Sequence, residues 1–107
     1  MRARLRETEI YFDIDGMGLV PEGDRMVERP VMFVLHGGPG ADHSYLKPRM
    51  GPLTDTAQLV YLDHRGAGRS ARGETAEWTL ANHAADVEAL RQYLGLGQVV
   101  LFGTSYG

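Results

Sequence analysis

Val99-Val100-Leu101-Phe102-Gly103-Thr104-Ser105-Tyr106-Gly107 is the stretch that decides the fold. Its first four residues are apolar and two are β-branched, as expected of a strand buried on both faces. G-x-S-x-G follows at once. In that setting the pattern predicts a nucleophile elbow, a sharp strand-to-helix turn with a serine at its apex and its Oγ exposed. Small residues are required on both sides because the turn is strained and the chain beyond it passes close to the strand. Without the strand in front, the same five letters would describe only a turn with a solvated serine.

Two further apolar runs end in the same way. Val31-Met32-Phe33-Val34-Leu35 runs into His36-Gly37-Gly38-Pro39-Gly40, and Gln58-Leu59-Val60-Tyr61-Leu62 into Asp63-His64-Arg65-Gly66-Ala67-Gly68-Arg69-Ser70. Buried strands separated by helices or long connections indicate an α/β fold with a parallel sheet. Ligands of such sheets bind beyond the carboxyl ends of the strands. The turns at 36–40, 63–70 and 103–107 are therefore expected at one edge of the sheet.

Between these landmarks, Thr79 is a candidate N-cap for a helix reaching about Leu94. Leu80, Ala84, Val87, Leu90, Arg91 and Leu94 would share one face. Gly95 suits the left-handed position beyond the helix end, with Leu96 making the hydrophobic contact of a Schellman stop. Residues 2–14 read as one or two strands, a hairpin turning near Glu7-Thr8. Residues 15–30, rich in Gly and Pro, read as a long loop. Ser44–Met50 suggests a short helix, against which Pro48 argues.

The 107 residues suffice for one domain and not two. A formal net charge of -3 speaks against nucleic acid or an anionic membrane as the main partner. There is no cysteine, hence no disulfide and no thiolate metal site. No apolar h-region follows the basic N-terminus, and no run approaches the ~18 residues of a membrane span. A cytoplasmic location is the expectation.

The chemistry concentrates in the three turns. Ser105 is the candidate acyl-transfer nucleophile. The N–H of Tyr106 is a candidate oxyanion donor, and a second donor is expected from the Gly-Gly-Pro turn, with Gly38 favoured over Gly37. His36 is read as a brace for its loop rather than a catalytic base. Asp63 and Arg65 are read as pairing with backbone and with each other to hold their loop; the alternative is a catalytic acid and a substrate clamp. His43 and His83 have no carboxylate at a spacing that would assemble a triad locally. The four histidines form no H-x-x-x-H or H-E-x-x-H pattern, so neither metal nor cofactor is expected. Trp78 and the tyrosines are read as packing residues.

In this order and spacing, the motifs at His36–Gly40, Asp63–Ser70 and Gly103–Gly107 resemble the α/β-hydrolase fold. More narrowly they are similar to the proline iminopeptidase family of serine aminopeptidases, whose pattern is H-G-G-P-G, D-x-R-G-x-G-x-S and G-x-S-[WY]-G. His43-Ser44-Tyr45-Leu46 also looks like that family's segment after the first turn. One departure is His64, where many members carry glutamine. The resemblance implies the N-terminal half of one such domain over residues 1–107: a mostly parallel sheet with an N-terminal β-hairpin, ending at the elbow. It implies Ser105 as nucleophile with Gly38 and Tyr106 as oxyanion donors, and a small peptide or amino-acid amide as substrate. An esterase, lactonase or amidase on the same scaffold is the alternative. Serine at 105 separates the chain from epoxide hydrolases and haloalkane dehalogenases, which place aspartate there. The acid and the histidine follow the serine in this fold, so they and the helical cap are expected beyond residue 107. The chain alone would then be inactive, and its partner would be the C-terminal half of the same hydrolase.

Overall fold

The structure is a computed structural model and describes residues 1–38 and 40–107. Pro39, part of the expected oxyanion turn, lies outside the described residues. Seven strands and two α-helices follow one another as β1 (Arg2–Leu5), β2 (Thr8–Asp15), β3 (Leu19–Glu22), β4 (Arg25–Glu28), β5 (Val31–Leu35), α1 (Lys47–Met50), β6 (Gln58–Leu62), α2 (Leu80–Tyr93) and β7 (Val100–Gly103). The main sheet has the order β1-β2-β6-β5-β7. β5 pairs in parallel with β6 on one side and β7 on the other, while β2 pairs antiparallel with both β1 and β6. The three parallel strands thus carry their following turns to the same edge.

Alternation along the strands explains why the apolar runs are continuous. Phe33, Val60 and Leu62 face one side with Ala3, Leu5, Ile10, Phe12 and Leu90. Val34, Leu59 and Tyr61 face the other with Leu46, Met50 and Ala57. In β5 and β6 both faces have a core to meet, so no polar face appears in their sequence. β7, expected to be buried on both faces, is instead exposed along its length, because it has β5 on one side and no further strand on the other among the described residues.

The N-terminal hairpin turns one residue earlier than expected. Arg6 and Glu7 both have positive φ, +47° and +64°, and Leu5 pairs with Thr8. A two-residue loop with both central residues left-handed matches the twist of the strands. Residues 15–30 are not a loop throughout. They contain the β3–β4 ribbon, which turns at Gly23 with φ +65°. Its residues are exposed or half-buried and Pro21 sits within it, so it carries neither apolar alternation nor an uninterrupted strand signal.

Helix α2 starts where its sequence says. The Thr79 side chain accepts from the Asn82 N–H. It stops as a Schellman motif: Gly95 has φ +68°, its N–H reaches the Gln92 carbonyl at 3.0 Å, and the Leu96 N–H reaches that of Arg91 at 3.1 Å. The buried face differs from the expected one. It carries His83, Asp86 and Leu90, while Leu80 is 67% exposed and Ala84 is exposed. Val87 and Leu94 do pack against the core. Two of the three buried positions are polar and engaged in hydrogen bonds, so hydrophobicity does not trace this face. No helix among the described residues is long and apolar enough to cross a membrane.

Candidate active site

Ser105 sits in an exposed, left-handed conformation, φ +59°. That conformation costs a non-glycine residue on the order of 1–3 kcal/mol and concentrates at functional sites. The Gly107 N–H closes the turn on the Thr104 carbonyl at 3.0 Å. The flanking glycines are steric necessities. A Cβ on Gly103 would run into the backbone of Gly107, and one on Gly107 would overlap the Leu35 carbonyl and lie 2.6 Å from that of His36. Main-chain atoms cannot swing aside as a flexible side chain would, which is the physical content of G-x-S-x-G here.

The turn after β5 lies against this elbow. A Cβ on Gly37 would stand 3.1 Å from Ser105 Cβ and from the Thr104 carbonyl. The Gly37 N–H donates to Tyr45 Oη at 2.8 Å, which uses up that donor and leaves Gly38, exposed at φ +133°, as the donor to consider. His36 braces the turn. Its Nε2 accepts from the His64 N–H at 2.9 Å, so Nδ1 carries the proton and donates to the Gly37 carbonyl at 2.6 Å. With both nitrogens engaged, His36 matches the bracing role expected of it.

Asp63, fully buried, organises the third turn. Oδ1 accepts from the backbone N–H of His43 at 2.9 Å and from its Nδ1 at 2.7 Å; Oδ2 accepts from the Arg69 N–H at 2.9 Å. Gly68 makes room for this carboxylate, since a Cβ there would overlap it. His43 therefore has an acidic partner, one that no local spacing supplies. The pair is 20 residues apart and is assembled by the sheet. Arg65, contrary to the sequence expectation, does not pair with Asp63. Its Nε and Nη2 meet Asp86 Oδ2 and Oδ1 at 3.0 and 2.9 Å, a buried bidentate pair reaching across to α2. Arg6 adds a third bond to Asp86 from the hairpin tip, 3.0 Å from Nη1. Neither Asp86 nor Arg6 stands out in the sequence. A lone aspartate on a helix face with an arginine 21 residues before it carries no signature.

Asp42, His43 and Asp63 bring potential ligand atoms within 4.8 Å of one another. Hydrogen bonds already occupy them: Asp63 as above, and Asp42 Oδ1 with the N–H and hydroxyl of Ser44 at 2.8 and 2.5 Å. The trio is a loop keystone.

Beside the elbow, a cavity of about 250 Å³ is bounded by His36, His64, Trp78, His83 and Tyr106, with the Gly66 backbone in its wall. Trp78 packs so tightly on Gly66 that a Cβ there would overlap its indole, and its Nε1–H donates to the Arg72 carbonyl at 2.6 Å. His64 is buried with neither ring nitrogen hydrogen-bonded among the described residues. Burial, together with the neighbouring His36 and His83, pushes it down to about 4 from the ordinary 6.5, so the ring is neutral near pH 7.

Residues 30–107 match the family described as alpha/beta hydrolase fold. The chain belongs to that family. A proline iminopeptidase of Lactiplantibacillus plantarum is 36% identical over 87 residues, covering 79% of this chain and 30% of that protein. A putative carbamate hydrolase RutD of Caulobacter vibrioides is 33% identical over 94 residues, 88% of this chain and 35% of that protein. Among solved structures, a proline iminopeptidase-related protein of Thermus thermophilus superposes with a TM-score of 0.85 at 28% identity, over all of this chain and 36% of that one. The chain spans about a third of the length of these relatives.

Proposed function

We propose that the whole protein is a serine hydrolase of the proline iminopeptidase type, releasing an N-terminal residue from small peptides or amino-acid amides through an acyl-enzyme. The strained, exposed Ser105 at the point where the three turns meet carries this reading. Its Oγ would attack the carbonyl carbon of the scissile amide. The oxyanion would be held by the N–H groups of Tyr106 and Gly38. Among the described residues the Tyr106 N–H has no protein acceptor, which favours that role. The general base would take the Ser105 proton and pass it to the leaving amine as the C–N bond breaks. His36 is committed at both nitrogens, and His64, pushed down to about 4, is a poor base near neutrality. In the chain order of this fold the acid and the histidine follow the serine, so the base and its carboxylate are assigned to a part of the protein outside residues 1–107. A complementary C-terminal half of the same hydrolase is the proposed partner of this chain, which by itself would be inactive. A cytoplasmic enzyme needing neither metal nor cofactor fits this reading.

Three measurements on the full-length protein test it. Ser105→Ala should lower turnover by several orders of magnitude with folding intact, and a fluorophosphonate should label Ser105; labelling at another residue instead would overturn the assignment. A proline arylamide should be cleaved and its N-acetylated form should not. The similarity to a putative carbamate hydrolase keeps an amidase or esterase as the second reading, which equal rates on the two arylamides would favour.

A further inference from the structure

We infer that His83 is a positioning residue for the elbow: through Tyr106 it sets the direction of the main-chain N–H beside Ser105. The inference rests on the hydrolase reading of Ser105 above. His83 projects from α2 into the gap between the loop after β6 and the elbow. Its Nε2 lies 3.0 Å from the Arg65 carbonyl oxygen, which can only accept. Nε2 therefore carries the proton and Nδ1 presents a lone pair. That lone pair meets Tyr106 Oη at 2.6 Å, so the phenol donates to His83.

The acceptor side of this chain is rigid. Arg65 is held by two hydrogen bonds to Asp86, three residues further along the same helix, so its carbonyl is fixed relative to His83. The ring of Tyr106 is also confined edge-on between His83 and His64, with centroids 5.4 and 5.9 Å away. Among the described residues, the elbow's other hydrogen bonds tie it to itself and to β5, through Gly107 N–H to Thr104 and the long 3.4 Å contact of Thr104 N–H with Leu35. Among the described residues, the Tyr106–His83 bond is the hydrogen bond that anchors it to α2. Tyr106 follows Ser105 directly, so holding its side chain in place restrains the backbone torsions of Ser105 and Tyr106 that orient the peptide plane whose N–H would face the oxyanion. A donor used only as charge develops on the oxygen should affect turnover more than substrate binding.

The test uses the full-length protein and kinetics on an arylamide substrate, with fluorophosphonate labelling of the wild type run alongside. His83→Ala and Tyr106→Phe should each lower kcat roughly ten- to hundredfold with KM within about twofold. The double variant should be no slower than the worse single, because both remove one bond. His83→Gln, whose amide can accept from Tyr106 and donate to Arg65, should recover most of the loss. With the wild type labelled at Ser105, any of three results overturns the inference: unchanged kcat in Tyr106→Phe, multiplicative losses in the double variant, or no recovery by glutamine. If His83→Ala fails to fold, the Tyr106→Phe and His83→Gln results still decide. A wild type that the reagent does not label overturns the hydrolase reading, and this inference with it.

Discussion

Arg65 and Asp86 form a two-pronged ion pair, 3.0 and 2.9 Å long, in which both side chains are almost wholly removed from water. It joins the loop after β6 to α2, and Arg6 brings the hairpin tip to the same carboxylate. Removing one member strands the other charge in a dry place. Asp86→Ala should therefore destabilise the protein by about 3–5 kcal/mol. Replacing Arg65 and Asp86 together by apolar residues of similar volume should cost less. Chemical denaturation of the full-length variants reads both effects, and an Asp86→Ala variant within about 1 kcal/mol of wild type would contradict the assignment of this pair.

His64 sets a pH dependence of stability. Its neutral form is favoured in the folded protein, which titrates near 4, whereas the unfolded chain takes up the proton near 6.5. The contribution is complete above pH 6.5, falls as the pH drops towards 4, and is flat below. Over that window it amounts to about 3 kcal/mol at most. His64→Gln should flatten this slope while leaving the carboxylate-driven acid transition in place. Parallel stability curves for variant and wild type between pH 6.5 and 4 would show that His64 does not set it.

At Gly107 the obstacle is main chain. An added methyl overlaps the Leu35 carbonyl, which belongs to the central strand β5 and cannot move without breaking its ladder. Gly107→Ala should lower stability by roughly 1–3 kcal/mol and slow fluorophosphonate labelling. Gly95→Ala is the contrast, since nothing stands within 4 Å of its Cβ position and only its left-handed φ of +68° is strained. Thermal unfolding and labelling rates that leave Gly107→Ala at wild-type values would rule out the close approach.

Strand β7 presents an apolar edge in residues 1–107, with Val100 47% and Leu101 59% exposed. Flat apolar edges template further pairing. Expressed alone, this segment should self-associate, and Leu101→Lys should reduce that association without altering the β5–β6 core. Light scattering on residues 1–107 and on the full-length protein would check it. A segment that stays monomeric and melts cooperatively would contradict the expectation.

Strands β5, β6 and β7 and their turns are legible because continuous apolar runs and glycine clusters are local signals, and the capping of α2 at Thr79 and Gly95 is legible for the same reason. The β3–β4 ribbon is not, because exposed two-stranded pairing leaves no hydrophobic trace and Pro21 argues against a strand. The buried face of α2 escapes its apolar periodicity because His83 and Asp86 are buried by virtue of partners distant in sequence. The His43–Asp63 and Arg65–Asp86 pairs, each about 20 residues apart, become visible only once the sheet has set its register. Ser105 can be found by its motif, whereas the strain at its φ and the contact of Gly37 with it belong to the folded chain alone.

The hairpin turn bears on what holds the N-terminus in place. Its two turn residues, Arg6 and Glu7, are both in a conformation that side chains disfavour, so little in the local sequence holds it shut. Besides β1, strand β2 pairs with residues 59–62 of β6, and Arg6 meets its carboxylate 80 residues further along. Both contacts close long loops, which carry a larger entropic cost than local pairing. The hairpin is thus held in place by partners far along the chain, with Asp86 of α2 as the clasp on its tip.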